Sequence, residues 1–280
     1  MQINKNFIQR VITGAILVAV LIAAMFNQFS FGIVFLLCAV AAVFEFHSLV
    51  EKKFDVQVNK YLSAALGGVL FASMYLRAAN VCDYQILIVY FALLCIVFIL
   101  ELFREKENPV MNWAMLALGQ VYIALPFALL NMIAFVENRY SSLLIVAFFA
   151  LVWVFDSGAY LVGITFGKHR LSERISPKKS WEGFFGGMVC AAGFSYLFYA
   201  ISETHALMPK LTPMEWVGFA LIVVVFGTLG DLSESLLKRT LDVKDSGTIL
   251  PGHGGILDRF DSVLFAAIAI CIYLQLFLQL

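Results

Sequence analysis

GDLSESLLKRTLDVKDSGTILPGHGGILDRFD, residues 230–261, lies between two strongly apolar runs. It nevertheless carries ten of the chain's 38 charged side chains (19 Asp and Glu, 19 Lys and Arg). The acids are Asp231, Glu234, Asp242, Asp245, Asp258 and Asp261, and the bases are Lys238, Arg239, Lys244 and Arg259. A connector between two membrane helices needs no such mixture. Carboxylate oxygens suit a hard divalent metal, and basic side chains suit phosphate. Gly252, Gly254 and Gly255 let the backbone approach a ligand closely or take a positive φ. The stretch has the makings of an active site.

Outward from it the chain is apolar: 280 residues, 62% hydrophobic and 14% charged, against about 25% charged in soluble domains. Serial apolar runs fall at about 11–26, 31–47, 61–76, 85–102, 111–135, 142–164, 183–201, 215–230 and 262–279. Inside lipid the backbone must satisfy its own hydrogen bonds, which uninterrupted runs of this length do as helices. The expected fold is an all-α polytopic integral membrane protein of about nine transmembrane helices. The net charge is zero, so overall charge selects no partner. Cys38, Cys82, Cys95, Cys190 and Cys271 show no CxxC or zinc spacing and read as small packing residues. The basic start and first apolar run lack an A-x-A-like cleavage site, which points to a retained first span.

Basic residues set the orientation. The N-terminal tail and the loops after spans two, four, six and eight hold 16 of the 19 Lys and Arg; Arg77, Arg139 and Lys210 fall in the other loops. By the positive-inside rule the N-terminus is cytoplasmic, the C-terminus is outside, and the charged loops 165–182 and 231–261 both face the cytoplasm. Residues 1–140 then form a transmembrane scaffold, and 141–280 carry the catalytic loops.

The scaffold offers little chemistry. Glu45, followed by His47, reads as a helix-end carboxylate reaching the interface, and Pro126 as a kink or discontinuity. In span six, thirteen apolar residues run into Asp156-Ser157-Gly158 before the span resumes. A charged Asp costs about 2.5–3.5 kcal/mol near the bilayer centre, so such residues usually face a polar cavity. The alternative is a carboxylate that reaches interfacial water or caps a helix broken at Ser157-Gly158. After span six, Lys178 and Lys179, flanked by Ser176 and Ser180, either grip phosphates or serve as topology signals and a helix cap. Gly183 and Gly187 have the small-xxx-small spacing of close helix packing.

Beyond span eight the pattern stays helical through DLSESLLKR. Asp231, Ser235 and Lys238, at i, i+4 and i+7, share one face; a plain amphipathic helix with Glu234 and Lys238 paired fits the same spacing. Pro251 and four glycines make 242–255 a loop. Asp258 and Asp261 open span nine either as helix caps or, with Asp231, as an oxygen-rich site suited to Mg²⁺. Arg259 and His253 add potential phosphate contacts.

Ser235-Leu-Leu-Lys238-Arg239, then Lys244-Asp245-Ser-Gly247, then Leu250-Pro251-Gly-His253-Gly254-Gly255-Ile-Leu-Asp258-Arg259-Phe-Asp261 resembles the signature of the phosphatidate cytidylyltransferases, or CDP-diacylglycerol synthases, without departure. Asp156-Ser157-Gly158-Ala159-Tyr160 and Ser176-Pro177-Lys178-Lys179-Ser180-Trp181-Glu182-Gly183 resemble the same family. The likeness is specific over roughly 156–261 and reduces to shared hydrophobic spans over 1–140. It implies transfer of a cytidylyl group from CTP to phosphatidic acid, with one or two Mg²⁺ ions held by Asp231, Asp258 and Asp261. Lys178, Lys179, Lys238, Arg239 and Arg259 are then phosphate contacts, Ser176 and Ser235 lie beside them, and Asp156, Lys244, Asp245 and His253 belong to the site.

Its partners are then the two substrates and membrane lipid, with a homodimer allowed and no nucleic acid. The expected location is a bacterial cytoplasmic membrane with the site facing the cytoplasm. Two other functions share features with this one. A CTP-dependent lipid kinase transfers the γ-phosphoryl group instead. A transporter places ionisable residues deep in several spans on both sides of the midplane, whereas here they gather in two loops with Asp156 alone inside a span.

Overall fold

The computed structural model describes residues 5–277 apart from 55, 207, 251 and 253, with side chains described within 12–276. It shows a polytopic all-α membrane protein. The helices are α1 (Lys5–Met25), α2 (Gln28–Lys53), α3 (Lys60–Ala78), α4 (Ile86–Glu101), α5 (Pro109–Gly119), α6 (Leu125–Ala134), α7 (Ser142–Phe166), α8 (Trp181–Thr204), α9 (Pro213–Thr240) and α10 (Leu257–Ile272). The expected spans overlap these helices, 111–135 taking α5 and α6 together, while 262–279 runs from α10 into a π-helical segment, Tyr273–Phe277, with its last two positions outside the described residues. Among the described residues six segments are long and apolar enough to cross a membrane: α2, α3, α5–α6, α7, α8 and α9.

Local chemistry sets the ends. The Asn27 side chain accepts the N–H groups of Phe29 and Ser30 at the start of α2, and Asn59 accepts that of Leu62 in α3. Both satisfy amides that a first helical turn leaves unpaired. Between α5 and α6 lies one π-helical segment, Gln120–Ala124, closed by the Leu125 N–H on the Gln120 carbonyl. Pro126 has no N–H and its ring crowds the preceding turn, so a widened turn just before it relieves the clash. The expected discontinuity at Pro126 takes this form.

Among the described residues, strands are confined to two short hairpins. β1 (Phe135–Val136) pairs antiparallel with β2 (Arg139–Tyr140) across Glu137 and Asn138, both at positive φ (52° and 60°). That is the geometry of a two-residue turn matched to strand twist. β3 (Arg170–Ser172) pairs with β4 (Ser176–Ser180), so part of the loop expected at 165–182 is an ordered hairpin.

The chain divides into two compact units: Met1–Met132 with Leu241–Phe260, and Ile133–Thr240 with Asp261–Leu280. In the first, α2 and α3 pack closely. A Cβ on Gly68 would lie 2.9 Å from Val40 Cγ2, so the contact needs glycine. Phe260, fully buried, sits 4.9 Å from the ring of Phe127 and 6.0 Å from that of Phe35. These rings anchor the start of α10.

In the second unit α7, α8 and α9 pack together. α7 is continuous through Asp156-Ser157-Gly158, which corrects the reading of a helix broken there. Gly158 serves packing instead: a Cβ on it would lie 3.2 Å from the Gly187 Cα. Cβ atoms on Gly183 and Gly187 would each lie 2.7 Å from an α7 carbonyl, of Ala159 and Phe155 respectively. The small-residue spacing in α8 is therefore a helix contact at backbone distance.

The orientation expected from the basic residues is open to direct labelling. Lys178, Thr248, Arg139 and Lys210 are all exposed. With the native cysteines replaced, single cysteines at 178 and 248 should react with an impermeant thiol reagent only from the cytoplasmic side. Those at 139 and 210 should react only from the outside. Labelling of 178 and 248 from opposite sides would contradict the proposed topology.

Candidate active site

In the second unit, α7, the β3–β4 hairpin, the start of α8 and the middle of α9 enclose a cavity of about 630 Å³. That is the size of a small-molecule site. Its wall is divided. Phe155, Ile164, Leu171 and Phe184 present apolar surface, and Asp156, Arg170, Lys178, Lys179 and Asp231 present charge.

Each charged residue is placed by its element. Asp156 sits on the exposed face of α7 and lines the cavity on the charged part of its wall. β4 carries Lys178 and Lys179 to the cavity, Ser176 lies at the start of the same strand outside its lining, and the hairpin is tied down by Glu182. That carboxylate accepts the backbone N–H groups of Lys168 and His169 at 3.1 and 3.2 Å and meets the His169 ring at 2.5 Å. Ser180 caps α8 by accepting the Gly183 N–H at 3.2 Å.

On α9, Asp231 forms an ion pair with Lys179 and accepts the Ser235 hydroxyl at 3.2 Å. Lys238 pairs with the fully buried Glu234 at 2.5 Å, one turn along the helix. The shared face of Asp231 and Ser235 thus forms a hydrogen bond, while Lys238 takes the neighbouring carboxylate. Arg239 is exposed on the last turn.

Asp261 is brought to Asp231 by the backbone. Gly230 packs directly on the Asp261 carbonyl, leaving no room for a Cβ. Asp261, Asp231 and Asp156 are close enough for their charges to act on one another, and Asp261 also feels Lys238. Asp261 accepts the Ser262 N–H at 2.6 Å and lies beyond the first turn of α10, so it is not an N-cap.

The glycine loop belongs to the first unit. Asp258, on the first turn of α10, is buried. Its Oδ2 accepts the Ser246 N–H at 2.7 Å, the Ser246 hydroxyl at 2.9 Å and the Gly255 N–H at 2.8 Å. Gly252 and Gly254 take positive φ, 78° and 82°. Lys244, Asp245 and Arg259 are exposed. Asp242 pairs with Lys53 of α2, and that hydrogen-bonded ammonium holds its carboxyl below the usual range. His253 lies outside the described residues.

Three partners escaped the sequence. Arg170 lines the cavity from β3, a position only the hairpin reveals. Thr228 lines it from α9 within an apolar run. Glu45, expected at the interface, is instead 4% exposed and bonded to the glycine loop.

The donors available to a divalent ion are carboxylate oxygens, the chemistry Mg²⁺ prefers. Among the described residues no three His, Cys, Asp or Glu converge as a closed metal cage. Mg²⁺ is commonly held by one or two carboxylates with substrate phosphates and water completing its shell. Asp231 and Asp261 at the α9–α10 contact fit that pattern, whereas Asp258, expected with them, gives its Oδ2 to Ser246 and Gly255 in the first unit.

The chain belongs to the cytidylyltransferase family, whose model matches residues 8–277. It is 48% identical over 130 residues to a phosphatidate cytidylyltransferase of Bacillus subtilis (strain 168), a match covering 45% of each chain. It is 46% identical over 132 residues to a phosphatidate cytidylyltransferase of Staphylococcus aureus (strain COL), covering 47% of this chain and 49% of that one. The chain spans about half the length of the curated relatives it matches.

Asn substitutions separate charge from scaffolding. Asp231→Asn and Asp261→Asn keep shape and an acceptor but remove the charge, and turnover should fall by about 10²-fold or more. Thermal stability should stay near wild type for Asp261→Asn. Asp258→Asn also weakens three hydrogen bonds to a charged acceptor, so it should lose roughly 1–2 kcal/mol of stability besides. Ser262→Ala keeps the N–H that Asp261 accepts and serves as the control. Near wild-type turnover in both Asp231→Asn and Asp261→Asn, assayed at low Mg²⁺, would remove the charge role.

Proposed function

We propose that this protein transfers the cytidylyl group of CTP to phosphatidic acid, giving CDP-diacylglycerol and pyrophosphate. The observation that carries this reading is the divided wall of the cavity. Cations from one hairpin face carboxylates from α7 and α9 inside an otherwise apolar enclosure, which suits polyanionic phosphates joined to an apolar partner. Family membership and the similarity to phosphatidate cytidylyltransferases support the same reaction.

In the proposed step a phosphate oxygen of phosphatidic acid attacks the α-phosphorus of CTP. The bond from that phosphorus to the bridging oxygen of the β-phosphate breaks, and pyrophosphate leaves. The lipid phosphate is already ionised at neutral pH, so no strong general base is required. The difficulty is repulsion between two anions. Lys178, Lys179 and Arg170 would offset that charge from the hairpin, and Lys238 and Arg239 from α9. Asp231 and Asp261 would hold Mg²⁺, which supplies Lewis-acid stabilisation of charge on the transferring phosphate. Asp156 would orient Lys179 along with Asp231. The setting proposed is a bacterial cytoplasmic membrane with the cavity open to the cytoplasm.

The fate of labelled phosphorus tests the reaction. With purified protein, phosphatidic acid and Mg²⁺, α-labelled CTP should leave its phosphorus in the lipid, and γ-labelled CTP should leave it in pyrophosphate. Label from the γ-position in the lipid would identify a kinase and overturn the proposal.

A further inference from the structure

α2 brings a carboxylate to the glycine loop from 201 positions away in the chain. Glu45 is 4% exposed, and its Oε2 accepts the backbone N–H of Leu257 at 3.0 Å and lies 3.5 Å from the Ser246 hydroxyl. Leu257 is the first residue of α10, so this N–H is one that the helix itself cannot satisfy. Glu45 therefore caps α10 from another helix, and its negative charge lies at the favourable end of the helix dipole.

The loop is shaped around this carboxylate. A Cβ on Gly247 would lie 2.8 Å from Glu45 Cδ, and one on Gly255 would lie 2.6 Å from Oε1. The backbone thus comes to van der Waals contact with the carboxylate only because both residues are glycine. From the other side Asp258 Oδ2 holds Ser246 and Gly255. Ser246 is bound between two carboxylates, and its hydroxyl also accepts the Asp258 N–H at 3.2 Å. Lys53, two turns further along α2, pairs with Asp242 where the loop begins.

Glu45 Oε1 is buried and accepts no hydrogen bond of good geometry, although the Ile256 amide also acts on the carboxylate. A buried carboxylate that is only partly satisfied opposes folding, so packing alone does not account for it. We infer that Glu45 is a positioning residue for the reaction. It seats the glycine loop at Ser246, Gly247 and Gly255 and the first turn of α10 at Leu257, acting through what those segments carry and not on substrate. Its kinetic consequence rests on the cytidylyl-transfer reading; its structural consequence does not.

Three measurements on the detergent-purified full chain test this. Hydrogen exchange of peptides covering 244–257 should speed up at least about tenfold in Glu45→Ala, the response of a locally released segment. It should stay near wild type in Glu45→Gln, which retains an acceptor for Leu257 and guards against an alanine variant that fails to fold. In kinetics, Glu45→Ala should lose about 10²-fold in kcat, with the KM for CTP changed no more than about threefold. Glu45→Gln should recover most of that loss.

Finally, Gly247→Ala should lower thermal stability when Glu45 is present and be tolerated in the Glu45→Ala background, because the colliding atoms are gone. Unchanged loop exchange in Glu45→Ala, or equal damage from Gly247→Ala in both backgrounds, would overturn the inference. A wild-type protein that transfers no cytidylyl group would remove the functional reading, while exchange and the double-mutant comparison would still decide whether Glu45 seats the loop.

Discussion

A charge among apolar helices has no water to turn to, and this constraint organises the whole molecule. Lys179 meets Asp231, and Lys238 meets Glu234. Asp258 gathers two amides and a hydroxyl. The desolvation penalty of an unpaired ion is several kcal/mol or more, beyond what a marginally stable fold can leave unmet at many places. The partners therefore fix where the polar segments must lie, and the apolar helices are arranged around them.

Glycine gives those charges their geometry. In the second unit, Gly183 and Gly187 let α8 touch the backbone of α7, and Gly230 lets α9 touch that of α10. The first contact sets the floor of the cavity between α7 and the hairpin. The second sets Asp261 beside Asp231. In the first unit, Gly247 and Gly255 let the loop close over Glu45. One residue type thus serves helix packing, carboxylate pairing and loop closure, in each case by allowing an approach that any Cβ would prevent.

Much of this was legible in the residues. The period and length of the apolar runs located the helices, and the mixture of charge and glycine in 230–261 marked the chemistry. Asp156 within a span pointed to a polar cavity; the structure places it on the charged side of a cavity whose wall is otherwise largely apolar. The hairpin at 170–180 was less legible, because its strands are short and polar and carry no alternation. Continuity of α7 through Gly158 was hidden because a glycine in a helix signals either a break or a close contact, and only the neighbouring helix decides between them. Glu45 was the hardest to read. Its partners lie 201 and 212 positions away, and a carboxylate near a helix end looks the same whether it meets water or a loop.

The central claim is that the cavity at the β3–β4 hairpin receives the phosphates of CTP. Chemical protection of lysines measures this directly. Purified protein is acetylated briefly with and without CTP and Mg²⁺, and modification of each lysine is quantified by mass spectrometry. The account predicts strong protection of Lys178 and Lys179, with Lys52 and Lys106, outside the cavity, unchanged. Equal modification of Lys178 and Lys179 in the presence of saturating CTP would contradict it.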